Sequence, residues 1–200
     1  MFAAVPIIFA VQQASEGVVW LTIDAPPFEP LHRAAVIAFL GFALVVWPPW
    51  LPLSLYRIER DAGRRHALIA MEGLGLIVAI ASAILLARST PVAVVAGHSI
   101  RYDHAGGGSS LLDALIVFAY LIPTVGPFFA STASHARAIG ALLILALIAA
   151  ILVEREALTS VWCFFAAMLS GTVYWSVRED EQSVAARERR QPSPSLDHHH

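Results

Sequence analysis

The chain has 200 residues, of which 58% are hydrophobic and only 14% charged, and its mean hydropathy is +0.68. A soluble domain lies nearer half apolar and a quarter charged, so this balance points to a lipid bilayer as partner. The net charge of −2 lacks the basic surplus a nucleic-acid partner requires, and the lone Cys163 excludes an intrachain disulfide or a thiol–metal cluster.

Apolar runs long enough for ~30 Å of hydrocarbon occur six times. They predict helices over approximately 3–23, 34–56, 67–87, 110–130, 135–153 and 158–176. The expected fold is therefore an all-α bundle of six transmembrane helices forming one domain over 1–176. The first run continues past Pro6 to Ile23 with no basic stretch before it, so it reads as a span and not a signal peptide. Residues 177–200 are charged and then Pro/Ser-rich, and read as a disordered cytoplasmic tail. The terminal Leu196-Asp197-His198-His199-His200 has the look of a purification-tag remnant.

All thirteen basic residues are arginine. Nine of them (Arg57, Arg60, Arg64, Arg65, Arg137, Arg178, Arg187, Arg189, Arg190) fall on one side of this six-span arrangement, and four (Arg33, Arg88, Arg101, Arg155) on the other. The positive-inside bias places both termini in the cytoplasm, with the chain crossing its membrane several times. Trp20 and Trp162 then fall at the outer boundary, and Trp47, Trp50, Tyr56, Tyr174 and Trp175 at the inner one.

In the first predicted span Gln12, Gln13, Glu16 and Trp20 lie three or four residues apart along one helical stripe. A charged side chain at mid-bilayer costs at least ~2.5–3.5 kcal/mol, so such a stripe must face protein or water. It serves either as an interhelical hydrogen-bond network or as a site for a ligand, a proton or a cation. The ionisable Glu16 favours the second.

The second span ends in Trp47-Pro48-Pro49-Trp50-Leu51-Pro52, where prolines are expected to stop the helix and tryptophans to anchor it at the headgroups. In the third, Glu72 heads a small-residue stripe of Gly75, Ala79 and Ser82 suited to close helix packing. Glu72 and Glu16 differ in depth by roughly 10 Å, so they suit two stations on one path better than a carboxylate pair. Glu72 paired with Arg64 or Arg65 is the bland alternative. In the fourth span Asp113 sits three residues after Ser110, at helix-start spacing, and shares a face with Tyr120 and Thr124. Pro123 and Pro127 should kink that helix. In the sixth, Ser160, Cys163, Ala167, Ser170 and Tyr174 repeat the packing signature, with Cys163 as a small apolar filler.

Outside the spans, residues 88–109 form the longest connection, containing His98, Arg101, Tyr102, Asp103 and His104. His98 and His104 with a carboxylate offer a zinc reading, which requires three or four ligands. Otherwise the His98/Tyr102/His104 segment is an outer lid.

The strings Gln12-Gln13-Ala14-Ser15-Glu16-Gly17-Val18-Val19-Trp20 and Ser160-Val161-Trp162-Cys163-Phe164-Phe165-Ala166-Ala167 together resemble an uncharacterised family of bacterial integral-membrane proteins. The resemblance spans essentially the whole chain up to the tail. Longer members of that family open with Met-Cys-Phe-Ser-Ala-Thr-Ala-Ser and one additional helix, which this sequence lacks. The resemblance implies a membrane-helix architecture and carries no activity.

The expected function is binding or passage of a small polar or cationic species, or of protons, through an intramembrane pocket. Glu16 is its ionisable centre, Gln12 and Gln13 orient it, and Glu72 and Tyr102 contribute. Two other classes remain open: a membrane-embedded metal-dependent hydrolase using zinc at His98 and His104, and a non-catalytic assembly subunit, with oligomers or a partner chain.

Overall fold

The computed structural model describes residues 2–103, 110–153, 159–168, 170, 171, 178 and 182. Within the described residues, each apolar run is largely helical. A single 3-10 turn, Phe2–Ala4, leads into α1 (Val5–Thr22), which carries Pro6 in its first turn, where no N–H is needed. Helices α2 (Glu29–Gly41) and α3 (Trp47–Ile58) are joined by a π turn, Phe42–Val46, into one helix, Glu29–Ile58. Then come α4 (Ala62–Arg88), α5 (Ser110–Ala130), α6 (Ala136–Val153) and α7 (Thr159–Met168).

Two expectations are corrected. The prolines do not end the second helix, which runs on through Pro48, Pro49 and Pro52 to Ile58. The π turn makes this possible: the Trp47 N–H bonds the carbonyl of Phe42, five residues back, and the Tyr120 hydroxyl supplies a donor to the Ala43 carbonyl at 2.8 Å. Pro52 likewise leaves the Pro48 carbonyl without its helical donor, and Gly75 of α4 packs directly on it. A Cβ at position 75 would lie 2.3 Å from that oxygen.

The fold is also not purely helical. Residues Val92–Ala96 (β1) and Ser99–Asp103 (β2) form an antiparallel hairpin with Ala93 opposite Tyr102 and Ala96 opposite Ser99. Gly97 takes φ 60° as the first of two turn residues, a position that type II′ turns reserve for glycine. Ile100 and Tyr102, two apart, share the buried face of β2 and pack with Ala93, Val19, Val36 and Phe39 over the ends of α1 and α2.

A second core, below, joins Phe9, Trp47, Leu51, Leu55, Leu68, Phe128 and Leu143. The polar stripe of α1 lies between these two apolar layers. Two helices, Glu29–Ile58 and Ala62–Arg88, are long and apolar enough to cross a membrane, their most apolar 18-residue stretches having mean hydropathies of 2.0 and 2.3. Only 17% of the most apolar stretch of Ala62–Arg88 is buried, so its hydrophobicity is not spent on the protein core.

Candidate functional site

Glu16 sits 5% exposed on the inner face of α1, one turn above the fully buried Gln12. Its Oε2 accepts a hydrogen bond from Gln13 Nε2 at 3.2 Å, and its Oε1 one from the Tyr102 hydroxyl at 3.5 Å, across 86 residues of chain. The Ser160 hydroxyl of α7 is a further hydrogen-bond partner. All these donors are neutral. Burial, and then the Glu16 charge beside it, push the Tyr102 hydroxyl far above its ordinary pKa, so it stays protonated and donates.

Gln12 extends the cluster. Its Oε1 accepts from Trp47 Nε1 at 2.6 Å, and Trp47 in turn stacks on Phe9 with centroids 4.0 Å apart. The Gln12 amide also interacts with the Cys163 thiol, but not at hydrogen-bond geometry, so Nε2 lacks a partner, as does Gln13 Oε1. A buried amide with an unused donor is costly to keep, and such groups call for a specific explanation.

Against Trp47 and Cys163 lies a cavity of about 40 Å³, also bounded by Phe9, Tyr120, Thr124 and Phe128. A larger one, of about 170 Å³, lies among α4, α5, α6 and α7 and shares Tyr120, Trp162 and Cys163 with the first. Tyr120 meets Trp162 edge-on at 5.8 Å.

The expected residues thus fall into three groups. Gln12, Gln13, Glu16 and Tyr102 are brought together. Glu72 is not among them: it packs against the backbone of Leu53 on α3, with Oε2 unpartnered. Arg64 and Arg65 are engaged elsewhere, Arg64 on the Ala130 carbonyl and Arg65 on the Tyr56 and Glu59 carbonyls and the Tyr56 ring. His98 is exposed at the hairpin tip, while Asp103, which precedes His104, ends the ladder opposite Val92. His104 lies outside the described residues, as does nearly all of the tail. Among the described residues no group of three His, Cys, Asp or Glu side chains is placed to hold a metal ion.

Trp20, at the head of the stripe, is exposed and takes no part. Trp47 and Trp162 are buried, not interfacial anchors: each N–H has a partner inside the bundle, Gln12 for one and the Leu143 carbonyl, at 3.4 Å, for the other. Sequence reasoning missed Trp47, Tyr120, Ser160 and Cys163 as site residues. The three-residue spacing of Ser160 and Cys163 was visible, but only the docking of α7 shows that this face meets α1.

A second polar centre, unforeseen, lies at the turn between α3 and α4. Glu59 accepts the Arg60 and Asp61 amides at 2.9 and 3.0 Å and the Thr132 hydroxyl and amide at 2.7 and 2.5 Å. Burial alone would raise its pKa, but these donors, with the Ser131 hydroxyl, outweigh it and lower the value to about 2. It fastens the α3–α4 turn to the α5–α6 turn.

Neither the curated proteins nor the solved structures contain a match to this sequence. One family does match, over residues 1–189, and the chain accordingly belongs to DUF6629, a family of unknown function.

Proposed function

We propose that this protein crosses a bacterial inner membrane with all six helical segments, both termini in the cytoplasm, and holds a small polar or cationic species, or a proton, at Glu16. Apolar side chains left on the outside of the bundle support the embedding: Ile77, Ile80 and Ile84 on α4, Leu115 and Phe118 on α5, and Leu145 and Leu152 on α6 are all exposed. The arginine asymmetry supports the orientation. Glu72, with one oxygen unpartnered, is a second polar station nearer the inner face.

The observation that carries the site is a buried carboxylate whose partners among the described residues are neutral hydrogen-bond donors. Intramembrane carboxylates are costly, and one that is merely structural gains little from staying ionisable. Tyr102 closes the site from the hairpin side.

The test compares thermal unfolding of the purified chain in sodium, ammonium and guanidinium chlorides, together with proton entry into reconstituted vesicles under an imposed potential. At least one cation should raise the wild-type midpoint, or protons should enter, and Glu16→Gln should abolish the effect without loss of stability. Glu16→Leu should destabilise by about 1–3 kcal/mol, because Gln13 and Tyr102 lose their acceptor. No response in any assay, with Glu16→Gln indistinguishable from wild type, would leave Glu16 a helix-joining residue in an assembly subunit.

A further inference from the structure

The α3–α4 turn and the α5–α6 turn meet as one surface. Glu59 of the first accepts the Thr132 hydroxyl of the second at 2.7 Å, and Arg64 Nη1 donates to the Ala130 carbonyl at 3.1 Å. Residues 57–66 and 130–137 together carry five arginines against two carboxylates. Both carboxylates are spent within the fold: Glu59 on the Arg60, Asp61 and Thr132 amides, and Asp61 on the Arg64 amide at 2.9 Å. Arg64 and Arg65 are committed to main-chain carbonyls and, for Arg65, to the Tyr56 ring. Arg57, Arg60 and Arg137 are exposed.

Two helices begin on this surface, and their backbones add to its positive charge. A helix N-terminus carries a partial positive charge that an acid in the first turn commonly offsets. Neither α4 nor α6 has an acid there; α4 places Arg64 and Arg65 in its opening turns, with Asp61 as its cap, and α6 places Arg137 in its own. Ile58, between Arg57 and Arg60, is 47% exposed, so an apolar side chain leaves the turn beside the guanidinium groups. That combination suits the level of a bilayer where acyl chains give way to headgroups, with arginine stems against hydrocarbon and their heads among phosphates.

We infer that the joined turns bind the headgroup of an anionic phospholipid, its phosphate on Arg57, Arg60 and Arg137 and its acyl chains beside Ile58. Guanidinium N–H groups fit phosphate oxygens two at a time, and each basic side chain near an anionic lipid surface adds to the attraction. The inference rests on the membrane embedding proposed above and is independent of Glu16. It names a lipid with net negative charge, since the choline of phosphatidylcholine cancels the charge of its phosphate.

The test is lipid competition. The full chain in neutral detergent is offered phosphatidylglycerol and phosphatidylcholine with the same acyl chains, and bound lipid is counted by native mass spectrometry. Phosphatidylglycerol should be preferred about tenfold or more at low salt, and the preference should shrink severalfold at about 0.5 M sodium chloride. Arg57→Gln, Arg60→Gln and Arg137→Gln should each lower it about two- to fivefold, and together bring the two lipids to parity. Arg33→Gln and Arg88→Gln, at the far ends of the two long helices, should leave it unchanged. Equal retention of the two lipids by the wild type, or a preference that survives the triple variant or falls as far with the far-end pair, would overturn the inference and leave the embedding standing. Displacement of phosphatidylglycerol by an equal concentration of soluble glycerol phosphate would make this a free-phosphate site and overturn the lipid assignment. Release of the chain from reconstituted vesicles by alkaline carbonate would remove the embedding, and the inference with it. The wild-type comparison needs no variant to fold.

Discussion

The hydroxyl of Tyr120 on α5 donates to the main-chain carbonyl of Ala43 at 2.8 Å, 77 residues earlier in the chain. Ala43 lies in the π turn, where Trp47 has bonded Phe42 and Pro48 has no N–H to give. One side chain thus makes good a backbone bond that a proline removed, and it ties α5 to the second helix beside the cavity. Tyr120→Phe keeps the ring and deletes the donor. It should lower stability by about 1–3 kcal/mol, read as a lower unfolding midpoint, because a buried carbonyl is left unsatisfied.

The same proline series explains Gly75. Ala79 is buried one turn on, so this edge of α4 is in close contact, and the Pro48 carbonyl occupies the place of a Cβ at 75. The obstacle is backbone, which cannot swing aside as a side chain would. Gly75→Ala should cost about 1–3 kcal/mol despite the better helix propensity of alanine. Gly73→Ala, which meets nothing within 4 Å, is the control and should be neutral or stabilising.

Glu59 predicts a pH dependence. Its folded pKa of about 2 lies below the ordinary 4.5, so the folded state favours the ionised form and gains stability above 4.5. That gain should drain away as pH falls from about 4.5 towards about 2. Unfolding midpoints of wild type and Glu59→Gln measured across this window should converge at the acid end. Parallel curves would mean that Glu59 is not a stability-linked group.

The proposed crossing by α4 can be tested alone, since Ala62 begins it, His98 lies beyond its end, and both are exposed. In a Cys163→Ser background, Ala62→Cys and His98→Cys should react with an impermeant maleimide from opposite faces of the membrane, Ala62→Cys from the cytoplasm. Labelling of both from one face would remove the crossing by Ala62–Arg88.

Much of this protein was legible along the chain. The helical segments follow from apolar run length, because a helix satisfies its own backbone and needs only local sequence to do so. The Gln12, Gln13, Glu16 stripe follows from a spacing of three and four residues, again a local property. The hairpin left a weaker trace: Ile100 and Tyr102 alternate, and Gly97-His98 is a turn pair, but twelve residues between two long helices read equally well as loop. The prolines at 48, 49 and 52 misled because their local meaning, a helix stop, was overruled by Tyr120 and Gly75 from two other helices.

What required the folded molecule was every relationship between distant segments. No spacing rule brings Tyr102 to Glu16, Trp47 to Gln12 or Thr132 to Glu59, since each pair is separated by a turn of the bundle. Nor does any rule distinguish Glu16, which gathers Gln13 and Tyr102 as donors, from Glu72, which lies against the Leu53 backbone with one oxygen unpartnered. Composition and periodicity determined which residues must leave water and which must find polar partners. The choice of partner depended on how the helices dock, because hydrophobic burial is non-directional and sets no pairing, whereas hydrogen bonds are directional and hold only the arrangement in which donors and acceptors meet.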